Sequence, residues 1–194
     1  TVRKELYLIS AIYETARREW GFGNLKNPVG DIRIPSAANP KRSRIPSDTL
    51  ARLLEATSQS RHRYLPHIIM LALETGMRVI LSLTWGQYFP EKRLLELIDT
   101  KNGHGRFVPL SDTAMAAIGH GEKQNERIFP MTGNAVRLAW ERLLRTNDIR
   151  GVRFHDLRHE AISRMFDEGM TVPQVAAVSG HRTISMLFRY AHVL

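Results

Sequence analysis

Apolar residues recur at three- and four-residue spacings along most of this chain, the period of packed helices. Over 2–20, Leu6, Ile9, Tyr13, Ala16 and Trp20 share one face of an amphipathic helix. Gly21 and Gly23 end it, and Asn27-Pro28 keeps it from resuming. Ser47 is the expected N-cap of a helix reaching about Thr57, with Asp48 near its positive end. A helix over 63–74 turns Leu65, Ile68, Ile69 and Leu73 to one side. Further helices are expected at about 111–118, 133–146, 155–168, 172–179 and 183–191. One region reads differently: 93–98 and 106–108 are paired strands, with Asp99-Thr100-Lys101-Asn102-Gly103 supplying the turn. The fold class is mainly α with a small antiparallel β-sheet (α+β).

From Ile34 to Pro46 the composition changes, with Pro35, Pro40 and Pro46 set among Lys41, Arg42 and Arg44. Proline favours extended backbone, so this stretch is a basic linker. It divides the chain into a helical piece at 1–35, a linker at 36–46 and a domain at 47–194. There are no repeats and no low-complexity tracts.

With 194 residues, 43% of them apolar and 24% charged, the chain can bury an ordinary core in one domain plus a smaller piece. No apolar run approaches the length of about 18 residues that a membrane span needs, and no N-terminal signal pattern is present. The first residue is not Met, as in a fragment of a longer chain. Cysteine is absent, which excludes disulfides, a thiol nucleophile and cysteine-ligated zinc, and suits a reducing cytoplasm. The 28 basic residues outnumber the 19 acidic ones for a net charge of +9. They are spread along the chain rather than gathered in a tail, so a folded basic surface is expected. Such a surface suits nucleic acid, because each neutralised phosphate releases condensed counterions.

Six residues could carry chemistry: Arg78 in Glu-Thr-Gly-Met-Arg, Lys101 in the hairpin turn, His155 and Arg158 in His-Asp-Leu-Arg-His, His181 after Gly180, and Tyr190 in Arg-Tyr-Ala-His. Each has an ordinary alternative. An isolated arginine or turn lysine is usually solvated, Gly-His also ends helices, and a tyrosine near Met186 and Leu187 is usually core. Together they suit cleavage of a phosphodiester without a metal. A guanidinium fork donates paired hydrogen bonds to non-bridging oxygens and stays charged, so Arg78 and Arg158 would stabilise the transition state. A free phenol, with a pKa near 10, attacks poorly until cations or a base help remove its proton. His155 and His181 would bond to the scissile phosphate, and His155 could help accept that proton.

The spacing of these motifs, and above all Tyr190 nine residues after Gly-His, resembles the tyrosine recombinase (phage integrase) family. The resemblance covers nearly the whole chain. Residues 1–35 look like the end of the family's helical core-binding domain, and 47–194 like its catalytic domain. It implies a site-specific DNA recombinase in which Tyr190 forms a 3′-phosphotyrosyl bond and Lys101 protonates the departing 5′ oxygen. It also implies a clamp around double-stranded DNA bearing a specific recombination site. Four subunits would exchange strands through a Holliday junction, with no cofactor, no metal and no membrane, in the cytoplasm of a bacterium hosting a phage or plasmid. Lys41, Arg42 and Arg44 are the expected DNA contacts of the linker. Ala-Leu-Glu-Thr-Gly-Met-Arg, Thr-Lys-Asn-Gly-His-Gly and His-Asp-Leu-Arg-His-Glu-Ala-Ile-Ser-Arg are similar to stretches of shufflon-type invertases.

The chain departs from the family's pattern in places. Relatives usually carry a few polar residues, including an acid, after the first arginine, whereas Arg78 runs straight into Val79-Ile80-Leu81. Trp85–Pro90 is similarly short. The chain stops four residues past Tyr190, before the tail that many relatives dock on a neighbour, and most of the first domain is missing. A shortened segment after Arg78 makes a catalytically impaired DNA-binding module the alternative, and a type IB topoisomerase shares the strand chemistry. A third reading takes His155 and His159, four apart on a helix, as zinc ligands, but zincins place Glu second and no clear third ligand follows.

Overall fold

The computed structural model describes residues 2–35, 44–98, 105–119, 121, 126–181, 183–187 and 190. It divides into two compact units, Thr1–Arg42 and Ser43–Leu194. The first contains helix α1 (Val2–Glu19) and a 3-10 turn at Pro28–Asp31, whose Val29 is buried. The Asn27 side chain caps that turn at Val29 N (3.1 Å) and donates to Ser10 Oγ (3.0 Å) and Glu14 Oε1 (3.2 Å), fixing the returning chain on α1. Leu8, Ile12, Trp20 and Phe22 are exposed.

The second unit is built around α3 (Leu65–Thr75), buried at Leu65, Ile68, Ile69, Leu71, Ala72 and Leu73. A helix apolar nearly all round has to sit inside the fold. α2 (Ser47–Ser58), α4 (Asp112–Ile118), α5 (Gly133–Thr146) and α6 (Asp156–Asp167) pack against it, and α7 (Val172–Ser179) lies against α6. Three short antiparallel strands lie in the order β1 (Tyr88–Phe89), β2 (Leu94–Leu97), β3 (Arg106–Pro109). Leu95 faces Val108 across β2 and β3, and both are fully buried.

Most expected elements are present, with differences that have local causes. Pro46, not Ser47, takes the N-cap position of α2. Its carbonyl accepts from Leu50 N at 2.8 Å, and as a proline it has no N–H to leave unpaired. The strand expected from Arg93 begins at Leu94, because Arg93 is left-handed (φ 55°) after the 3-10 turn Pro90–Lys92. That turn folds back β1, whose two residues are too few to show an alternating pattern. The helix expected over 183–191 is, among the described residues, a 3-10 turn at Ile184–Met186. Met186 N bonds to Thr183 O (3.0 Å) and Tyr190 N to Leu187 O (2.8 Å), bonds three residues back that wind the chain more tightly than an α-helix. Leu187 drops into the core, which holds the segment that carries Tyr190.

Candidate active site

Helix α6 organises the site. It buries four polar residues, Arg158, His159, Glu160 and Ser163, among apolar Leu157, Ala161, Ile162, Met165 and Phe166. Lysines, arginines and acids are seldom so buried without partners, which makes this helix the unusual one in the fold. Three other segments and the start of α6 itself gather around Arg158 and His159.

The first segment is the turn after α3. Gly76 ends the helix in the left-handed region (φ 60°), and a Cβ there would meet the Cβ of Ala161 at 3.4 Å. This close approach sets the Gly76 carbonyl to accept from Arg158 Nη1. Burial, then the positive charge of Arg78, pulls the Arg158 pKa down to about 10, with Tyr190 opposing and Arg106 adding to the fall. Arg158 therefore stays charged at neutral pH in a crowded cationic field. The segment after Arg78 turns directly into the 3-10 turn Ile80–Ser82, with Ile80 buried and Val79 exposed, so Arg78 remains beside Arg158.

The second segment is the end of α7. Gly180 is left-handed (φ 72°), and the Arg106 guanidinium lies where its Cβ would be. His181 follows, with its ring nitrogens 3.3 and 3.4 Å from Arg158 Nη2. Ser179 Oγ donates its one proton to Val175 O at 2.5 Å and stands 2.7 Å from His181 Nδ1. This contact fixes the plane of the His181 ring. Gly180 thus forms an ordinary helix-ending turn and also aims His181 at Arg158.

The third segment carries Tyr190, whose Oη is hydrogen-bonded to His159 Nδ1. The two rings lie 5.6 Å apart at 31°, and Phe166 stacks on the phenol at 6.5 Å and 25°. The fourth is the start of α6, where His155 occupies the N-cap position without a side-chain cap bond. His155 is exposed, and its ring meets His159 edge-on at 5.1 Å.

Arg78, Arg158, His181 and Tyr190 therefore gather in one place, with His155 at its edge. Lys101, Lys41 and Arg42 lie outside the described residues. The Arg44 guanidinium donates to Glu160 Oε1 (3.1 Å) and Asp167 Oδ2 (2.5 Å), which holds its pKa above the ordinary value. It is engaged within the protein, so a phosphate contact would have to share it. Sequence reasoning missed Arg106, read only as the start of a strand, and weighed His159 only as a zinc ligand. The available signal was adjacency, since His159 directly follows Arg158. Among the described residues, no three histidine or acidic side chains are grouped to hold a metal ion.

A helical domain with a small sheet that brings two arginines, a histidine and a tyrosine together from distant segments has the architecture of a tyrosine recombinase catalytic domain. The chain belongs to the phage integrase family, whose model matches residues 43–194. It is 39% identical to a shufflon-specific DNA recombinase of Escherichia coli, over all of this chain and 51% of that one. It is 30% identical to a putative integrase/recombinase of Haemophilus influenzae, over 96% of this chain and 64% of the relative. The chain thus spans about half to two thirds of the length of these curated relatives. The catalytic domain of bacteriophage HP1 integrase superposes with a TM-score of 0.63 at 26% identity, over 78% of this chain and 88% of that one. A lambda integrase dimer bound to a COC′ core site shares the fold, with a TM-score of 0.73 at 20% identity over 97% of this chain and 57% of the other.

Proposed function

We propose that the protein is a site-specific DNA recombinase that breaks and rejoins strands through a 3′-phosphotyrosyl bond at Tyr190. The observation that carries this reading is the gathering of Tyr190, Arg78, Arg106 and the His181 ring around the buried Arg158 guanidinium. Two guanidinium groups and an imidazole can bind the non-bridging oxygens, and their charge favours phenolate over phenol. Arg78 and Arg158 stabilise the crowded phosphorus, His181 and His155 bond to the phosphate, and Lys101 protonates the leaving 5′ oxygen. No step needs a metal.

Residues 1–35 form the end of a core-binding domain, 36–46 a linker tracking the backbone through Lys41, Arg42 and Arg44, and 47–194 the catalytic domain. Double-stranded DNA is the substrate, and four copies assemble on it. Among the described residues no helix is long and apolar enough to cross a membrane. The cytoplasm of a bacterium, the compartment where such DNA lies, is the site of action.

The test uses a recombination site nicked beside the scissile phosphate, so that the short 5′ product diffuses away and the covalent complex accumulates. A protein–DNA adduct that survives denaturant and forms equally in EDTA supports the reading. DNA binding with no adduct supports a catalytically impaired DNA-binding module instead.

A further inference from the structure

We propose that His159 takes the proton of Tyr190 as the phenol becomes a nucleophile, an assignment that rests on the strand-cleavage reading above. His155 is the histidine from which proton acceptance was expected, yet it stands exposed at the start of α6 and meets another imidazole. His159 is hydrogen-bonded to the phenol oxygen through Nδ1. A proton moves fastest between groups already in hydrogen-bond contact, and an imidazole titrates near enough to neutrality to take one and return it.

The setting of the ring supports the role. His159 is only 8% exposed, and its helix neighbours Leu157, Ala161 and Ile162 are locked in the core. Its backbone is further fixed by Glu160, the next residue, which is gripped by Arg44 (3.1 Å) and Arg164 (3.3 Å). Phe166, on the same helix, stacks on the phenol, so the helix that carries the acceptor also positions the donor. The titratable groups that meet the His159 ring include Tyr190 and His155, while Arg158, with Arg78 and Arg106 near it, brings positive charge to the phenol. Those guanidinium groups favour the anionic oxygen but cannot accept a proton, so the site needs an acceptor of a different kind.

The step balances. An Oη lone pair forms the bond to phosphorus while the Oη proton passes to the Nδ1 lone pair, leaving His159 as imidazolium. The bond from phosphorus to the 5′ oxygen breaks, and that oxygen takes its proton from a separate acid. On rejoining, the 5′ hydroxyl attacks phosphorus and gives its proton back to that acid's conjugate base, the tyrosyl bond breaks, and the imidazolium returns its proton to the departing phenolate.

The experiment measures single-turnover adduct formation on the nicked site by the full chain and by His159→Ala and His159→Gln, across about pH 5.5 to 9.5. The wild-type rate should climb with pH and level off once the imidazole has lost its proton. His159→Ala should be about a hundredfold slower near pH 7. Its rate should keep rising toward the phenol's own range near 10, and added imidazole should restore part of it. A 5′-thiolate leaving group should not rescue it, because the missing step concerns the attacking oxygen. His159→Gln keeps a hydrogen-bond acceptor that cannot hold a proton, so it should fold, bind DNA and remain slow. A Gln variant with the wild-type rate and pH profile overturns the proposal even if the Ala variant fails to fold, and so does rescue by the thiolate. A wild-type chain that forms no adduct overturns the strand-cleavage reading itself, and this assignment with it.

Discussion

Arg158 Nη1 donates to the carbonyl of Gly76, tying α6 to the turn after α3 across 82 positions of sequence. One bond therefore fixes the guanidinium of the second motif and the backbone that leads to Arg78. Nη2 is left to face His181 at 3.3 Å, so one side chain is anchored on one edge and presented on the other. A planar fork can do both, and an ammonium cannot.

Arg158→Ala should slow single-turnover cleavage by roughly a hundredfold or more, the effect of losing one transition-state donor. It also leaves the Gly76 carbonyl without its donor, at a cost of about 1–3 kcal/mol in unfolding free energy. Arg158→Lys should recover little of the rate. A near-native rate in the alanine variant would reduce Arg158 to a structural tie.

Tyr190→Phe should abolish the covalent adduct and leave DNA binding within a few fold. The change removes one oxygen and keeps the stack on Phe166, so urea melts should shift by only about 1 kcal/mol, the worth of the bond to His159. Persistence of the adduct in this variant would remove Tyr190 as nucleophile.

Gly180→Ala places a methyl group against the Arg106 guanidinium and forces a non-glycine residue into a left-handed turn. The strain should cost about 1–3 kcal/mol of stability. Because His181 follows directly, cleavage should fall further than DNA affinity does. Equal losses in both, measured by adduct rate and by titration of labelled DNA, would show that the turn serves folding alone.

DNA affinity should fall steeply with salt, and Lys41→Ala with Arg42→Ala should flatten the slope of log K against log salt by about 1.8, at roughly 0.9 per phosphate contact. Arg44 should behave differently, because its guanidinium is engaged with Glu160 and Asp167. Arg44→Ala should cost about 1–2 kcal/mol in a denaturant titration. That is below the loss expected for a fully buried pair, since Arg44 is half exposed and Arg164 still holds Glu160. A full 0.9 change in salt slope with unchanged stability would return Arg44 to the DNA.

Lys101→Ala should slow cleavage of an ordinary phosphodiester and matter far less when the leaving group is a 5′-thiolate, which departs without a proton. A lysine that only binds phosphate would be missed equally on both substrates. Lys101 and His159 thus have opposite signatures in the same assay, one rescued by sulfur and the other not.

The sequence by itself determined the helices whose apolar period is long, the β2–β3 pairing, and the motif residues Arg78, His155, Arg158, His181 and Tyr190. Helical period, turn chemistry and motif spacing are local properties of a chain, and they can be read along it. Only the tertiary structure decided which of these side chains touch. Arg106 joins the site because β3 passes under Gly180, a contact between segments more than seventy residues apart. His159 reaches Tyr190 because the chain after Thr183 brings the phenol to the buried face of α6. Arg44, one basic residue among several in a linker, is set apart by the buried carboxylate it meets 116 positions away. Partners so distant are chosen by packing of the whole core, which no local pattern encodes.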